Sequence, residues 1–362
     1  MTPPFRADQV GSLLRPPELR EARVRARGGE ISAQALRETE DRAIREAIAQ
    51  QEAIGLQAVT DGEFRRDWWH VDFLTGFAGV EAYAAPLVVG FKHSAEQPPM
   101  LRVTAPVRRH RPIFVESFRF LQAATARTAK QTIPAPAMLH MRPGRAGISR
   151  NAYPDLREFW WDVARAYREE IRDLAAAGCR YLQLDDTSFA YLCDPEFRAS
   201  MVKRGDDPKQ LARAYAEAIN AALAERPAGM AVTLHTCRGN FKSTWVASGG
   251  YEPVVETMFC AHVDGFFMEF DSERAGDFAP LRYAPRGKKV VLGLVTTKVG
   301  ALEDKDTLKR RIEAAAKYVP LEDLCLSPQC GFSSTHHGNL LSYAEQWRKL
   351  ERIVEVAREV WG

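Results

Sequence analysis

The chain is 362 residues long, with 46% hydrophobic and 27% charged side chains, enough apolar material for a large core and too much for a disordered chain. Its 50 Lys and Arg against 47 Asp and Glu leave a formal charge of +3, which excludes the dense basic surface of a nucleic-acid binder or of a protein that works on anionic membranes. No run approaches the roughly 20 apolar residues of a spanning helix, and MTPPFRADQVGSLLRP lacks the apolar region of a signal peptide, so a cytoplasmic protein with a small-molecule partner is expected.

Short apolar runs alternate with longer amphipathic stretches, the pattern of a parallel α/β architecture. In chain order, eight strands are predicted at 6–12, 57–64, 130–139, 179–187, 229–237, 265–272, 289–297 and 324–332. Eight strands with helices between them predict a (βα)8, or TIM, barrel in a single domain over residues 1–362. Ser32 is expected to cap a helix that stops before Gly55, and Asp207 with Pro208 to open another. After strand two the rhythm breaks: residues 84–118 read as an inserted antiparallel β-hairpin, whose Arg108, Arg109, His110 and Arg111 are expected on a solvated loop. Leu156, Trp160, Val163, Tyr167, Ile171 and Leu174 recur at helical spacing and predict a packing face. Ser342 and Glu345 form a capping box ahead of the last helix.

In a barrel of this kind the chemistry sits at the carboxyl ends of the strands, and there the metal-capable residues fall. His235 and Cys237 in TLHTCRGN are two apart, so the period of a strand points both the same way. Glu269 interrupts the apolar GFFMEF and needs a cationic or hydrogen-bonding partner, because an unpaired buried carboxylate costs several kcal/mol. Cys330 ends LCLSPQC, with Gly331 leaving room for a turn. In a reducing compartment the six cysteines do not form a disulfide framework, so each is buried filler or a chemical group. One His, two Cys and one Glu suit tetrahedral Zn2+; two thiolates argue against magnesium or calcium, while iron and copper stay open. Asp61, Glu63, Asp185, Asp186 and Ser12 also lie at strand ends, each able to cap the following helix or to bind substrate.

The pieces VGSLLRP, TDGEFRR with WWHVDF, LQLDD, LHTCRGN, FFMEFDS and SPQCGFSS, in this order, resemble the catalytic barrel of the cobalamin-independent methionine synthases, above all its short single-barrel members. The resemblance covers nearly the whole chain. It implies that His235, Cys237, Glu269 and Cys330 bind zinc, that Glu63 and Asp185 hold the amino group of homocysteine, and that Ser12 helps receive its carboxylate. It implies methyl transfer to the thiol, giving methionine, with Asp185 among the catalytic groups and His336, beside His337, as the candidate proton donor to a departing amine.

The chain departs from the full-length family in lacking a second barrel and in reading PAPAMLHMRPG, without Trp, where a pterin would stack. Trp68, Trp69 and Trp245 are the other candidate stacking faces. The methyl donor is therefore left open between a folate, a corrinoid and another compound, with a donor-carrying partner protein as one source. The alternatives are alkyl transfer to another thiol, as in epoxide:coenzyme M transfer, and a non-catalytic structural zinc protein. Two carboxylates at the substrate end favour an amino-thiol over a sulfonate-bearing one.

Overall fold

The computed structural model describes residues 2–84, 90–91 and 97–362. Its strands are β1 (Ala58–Val59), β2 (Ala78–Tyr83), β3 (Met100–Arg108), β4 (Thr128–Pro134), β5 (Tyr181–Asp186), β6 (Ala231–Thr236), β7 (Gly265–Glu269), β8 (Lys289–Val295) and β9 (Leu324–Pro328). Seven of them form one parallel sheet in the order β1-β4-β5-β6-β7-β8-β9. Parallel neighbours need crossovers, and helices such as Leu156–Ala176, Pro208–Leu223 and Lys305–Ala315 supply them.

The predicted first strand, 6–12, is a bridge and not a ladder. Ala7 pairs in parallel with Leu326, Asp8 N donates to Leu326 O at 3.0 Å, and on its other side Leu13 N donates to Gly62 O at 3.0 Å. The chain start thus lies between β9 and the turn after β1. The second predicted strand shrinks to two residues because the chain turns immediately: Gly62 and Glu63 both take positive φ, 66° and 59°. The third ends at Pro134, since Pro136–Leu139 forms a 3-10 turn.

An antiparallel pair follows β1, but its boundaries differ from the expected 84–118: it joins β2, which begins at Ala78, to β3, and Val115–Ala124 is helix. Residues 85–89 and 92–96 of the expected hairpin lie outside the described residues. Arg109 is not solvated; it pairs with Glu170 at 2.6 Å and Asp173 at 2.7 Å on helix Leu156–Ala176. That helix buries Val163, Tyr167, Ile171 and Leu174 as its spacing requires. The expected caps form: Ser32 Oγ accepts from Ala35 N at 3.1 Å, and Ser342 with Glu345 completes a capping box on Tyr343–Trp361. No helix among the described residues is long and apolar enough to cross a membrane.

The central strands are buried on both faces, yet alternate residues differ in kind. Leu182, Leu184, Val232 and Leu234 join the large apolar cluster under the helices. Between them Gln183, Asp185, Thr233 and His235 are buried polar residues on the opposite face, as a period of two demands. At the amino end of that face, Lys130 Nζ pairs with Asp8 at 3.0 Å and Tyr181 donates its hydroxyl to Asp8 at 2.9 Å, which satisfies an otherwise costly buried ion pair. At the carboxyl end the register sets Asp185 opposite His235.

Candidate functional site

His235 and Cys237 leave the end of β6, and Cys330 follows β9; their ligand atoms all lie within 4.8 Å of one another, and all three residues are buried. Cys330 Sγ stands 3.6 Å from Cys237 Sγ. Backbone bonds hold both loops: Cys237 N donates to Asp186 O at 3.3 Å, and Gln329 N to Val295 O at 2.8 Å. His235 Nδ1 is 2.8 Å from Asp185 Oδ1, which leaves Nε2 buried and without a partner. A carboxylate behind a histidine that offers its other nitrogen is the usual support of a metal ligand.

The three groups share protons unevenly. The hydrogen bond from Cys237 holds the Cys330 thiol well below the usual range, against its burial and with help from His235, and the same bond with burial pushes Cys237 well above it. Burial opposes the His235 imidazolium, but Asp185 and Cys330 outweigh it and lift the group to about 10. Once a metal displaces the proton that His235 and Cys330 share, the thiolate and the imidazole nitrogen so placed are the donor set a soft, tetrahedral cation such as zinc takes.

Glu269 is buried but stands apart from this trio. Its Oε2 accepts from Arg238 N at 2.8 Å and its Oε1 from Arg274 Nη2 at 2.6 Å. Burial would raise its pKa, and Arg238, Arg274 and Lys298 together reverse that, so it sits below the usual carboxylate range. The partner that sequence reasoning required for Glu269 is thus, in this structure, a pair of arginines.

The trio lines a cavity that also takes in Ser12, Glu63, Trp69, Arg142, Asp185, Asp186 and Tyr191. Ser12 is packed so closely that a side chain on Gly331 would come within 1.9 Å of its Oγ, which is why glycine follows Cys330. Glu63 Oε1 accepts from Thr132 Oγ1 at 2.7 Å; burial, aided by Asp185 and opposed by Arg66, pushes its acid up to about 7. Asp185 uses Oδ1 twice, accepting from Gln183 Nε2 at 2.7 Å as well as meeting His235. Asp186 serves the next helix, Ser188–Cys193, by accepting from Ser188 Oγ at 2.8 Å and Phe189 N at 3.1 Å. Asp61 likewise caps its own turn, accepting from Glu63 N at 2.9 Å.

His336 is not among the residues that line this cavity. Its ring lies 3.8 Å from that of His337, its backbone N–H donates to Asp67 O at 2.8 Å, and burial lowers its pKa. Of the tryptophans considered for stacking, Trp69 lines the cavity, whereas Trp68 stacks on Phe241 and Trp245 lies under Arg274. Sequence reasoning missed Arg142 and Tyr191. The available signal was a cation in MRPG just past a strand end; Tyr191 lies in an all-apolar helical turn and gave none.

The catalytic-domain family of the cobalamin-independent synthases matches residues 5–359. The uncharacterised protein YxjH of Bacillus subtilis is 44% identical over 361 residues, covering 99% of this chain and 95% of its own. A solved structure of a candidate vitamin-B12-independent methionine synthase from Listeria monocytogenes superposes with a TM-score of 0.81 at 41% identity, covering 100% of this chain and 99% of that one. The 5-methyltetrahydropteroyltriglutamate–homocysteine methyltransferase of Thermotoga sp. strain RQ2 is 23% identical over 99% of this chain, which spans 45% of that longer enzyme. Matched from its fifth residue almost to its last, and with His235, Cys237 and Cys330 gathered at the strand ends, the chain belongs to the cobalamin-independent synthase catalytic-domain family.

Proposed function

We propose that this chain is a zinc-dependent thiol S-methyltransferase that methylates homocysteine to methionine, working as a single domain, residues 1–362, on a (βα)8 barrel in which residues 6–12 act as the eighth strand. The observation that carries the reading is the convergence of His235, Cys237 and Cys330 within 4.8 Å in the lining of a cavity that also holds carboxylates. The methyltransferases among the relatives act on homocysteine by name, which agrees with it.

His235, Cys237 and Cys330 would hold Zn2+, and Glu269 would complete the set by exchanging Arg274 for the metal. Bound there, zinc supplies the Lewis acidity that turns a weakly acidic thiol into a thiolate at neutral pH. Asp185 fixes the His235 ring through Nδ1, so that Nε2 would be the nitrogen that holds the cation. Glu63, together with the second oxygen of Asp185, receives the substrate ammonium, and Ser12 its carboxylate. The buried walls exclude water, so the ionic contacts are strengthened and the two reactants are held in line. In the transfer a sulfur–carbon bond forms, the donor–methyl bond breaks, and the donor keeps the electron pair; a donor whose methyl leaves an amine nitrogen also takes up a proton. His336 would reach that proton only by a shift of its loop toward the cavity.

The donor is a folate, a corrinoid or another methyl compound, delivered free or by a partner protein, in the cytoplasm and without nucleic acid or membrane. The test is to incubate the zinc-loaded chain with homocysteine and each class of methyl donor and to measure methionine. Methionine from at least one donor, dependent on Cys330, is expected; none from any of them would remove the assignment.

A further inference from the structure

Arg142 lines the cavity, yet its charge is unanswered. Among the described lining residues it is the only Lys or Arg, facing three carboxylates, those of Glu63, Asp185 and Asp186. Its Nη2 donates to Tyr191 Oη at 3.2 Å, while its Nε and Nη1 are sealed from bulk water and donate to nothing among the described residues. Guanidinium donors left unmet in a buried place are costly, and those of Arg142, unlike the unmet nitrogens of Arg15, Arg23, Arg65 and Arg66, belong to a residue that lines the cavity, where an acceptor can arrive.

The loop that carries Arg142 is fixed in advance. Arg204 donates from Nη1 to Arg142 O at 3.0 Å and from Nη2 to Met141 O at 3.1 Å, and Asp206 pairs with Arg204 in turn. Gly144 N closes the turn on His140 O at 2.7 Å, with a φ of 60° that favours glycine, and a side chain there would strike Arg204 at 2.9 Å. The cation is therefore presented on a braced backbone. Tyr191 holds one edge of it, and the planar guanidinium matches a carboxylate better than an ammonium would.

We infer that Arg142 recognises a carboxylate of the molecule that enters the cavity. The inference rests on reading the cavity as the site of thiol methylation, which supplies two sources for that group: the α-carboxylate of the amino-acid acceptor, or a carboxylate of the methyl donor. In both cases Arg142 selects for an anion, as Glu63 and Asp185 select for an ammonium.

The test uses direct binding, measured by calorimetry on the zinc-loaded chain and on R142Q and R142K, each checked for an unchanged melting profile. Three probes are used: homocysteine, 3-amino-1-propanethiol, which has the same thiol and amine without the carboxylate, and glutarate, which has carboxylates without thiol or amine. An acceptor-side role predicts that R142Q weakens homocysteine about ten- to a hundredfold, leaves 3-amino-1-propanethiol unchanged, and is partly rescued in R142K. A donor-side role predicts that homocysteine is unchanged and glutarate is weakened to the same extent. If R142Q binds homocysteine and glutarate as wild type does, or if wild type binds neither, the inference is overturned. Because no turnover is read, failure to form methionine with any donor strikes the methyltransferase reading alone.

Discussion

Asp185 Oδ1 and His235 Nδ1 lie 2.8 Å apart, from paired positions on β5 and β6. The contact binds the acidic wall of the cavity to the candidate metal ligands. It turns the imidazole and, on the reading proposed above, leaves the carboxylate's other oxygen for substrate.

Asp185→Asn is expected to keep the fold and to weaken zinc binding by about ten- to a hundredfold. The amide can offer its nitrogen where an acceptor is needed, so the ring loses the partner that keeps Nε2 free. Competition with a chromophoric chelator measures the change; an affinity equal to wild type would disconnect this pair from the metal.

Cys330→Ser is expected to abolish stoichiometric zinc while moving the melting temperature by less than about 5 °C, the behaviour of a catalytic site and not of a structural one. Metal analysis of protein purified without chelator, read beside thermal unfolding, decides it. Collapse of the fold along with the metal points to the structural alternative. In the intact protein, adding homocysteine should release protons and add sulfur to the X-ray absorption signal of zinc.

Glu269 is expected to be contested between Arg274 and the cation. Arg274→Gln frees the carboxylate and should tighten zinc binding several-fold, whereas Glu269→Gln should weaken it and, by leaving Arg274 with Asp271 alone, lower stability by about 1–3 kcal/mol. Zinc affinity that is indifferent to Arg274 would show that Glu269 serves the arginines alone.

The Glu63 acid, held at about 7 against an ordinary 4.5, makes a signed prediction. The folded chain binds the proton more tightly than the unfolded one, so this group's stabilisation is complete below pH 4.5 and is lost as pH rises through 7. Glu63→Gln should therefore gain stability relative to wild type at pH 8 over pH 5, by at most about 3 kcal/mol. An ammonium substrate needs the ionised form, so homocysteine binding should strengthen between pH 6 and 8 more steeply in wild type than in the variant, which keeps only the rise due to the thiol's own proton release. Calorimetric titration across that range gives the comparison.

Gly331→Ala places a methyl group 1.9 Å from Ser12 Oγ. Either strand end must move, and a loss of about 1–3 kcal/mol is expected, with homocysteine binding falling further than stability alone explains. Denaturant unfolding and binding on the same preparation separate the two effects.

The amino-acid sequence by itself determined the order of the sheet strands and the chemical type of the site. Apolar runs such as YLQLDD and AVTLHT announce buried parallel strands, and His235, Cys237 and Cys330 fall where such strands deliver side chains. Both are properties of local spacing, which a strand's period of two carries into space unchanged. Tertiary structure alone decided which charges meet. It gave Glu269 to Arg238 and Arg274, set Asp185 behind His235, moved His336 off the cavity wall, and left two nitrogens of Arg142 without acceptors. It also reduced the first expected strand to a bridge at Ala7 and the second to Ala58–Val59. The reason is reach: an ion pair forms between side chains on different strands and loops, and burial then raises the strength of whichever pairing the packing allows, information that no single stretch of chain contains.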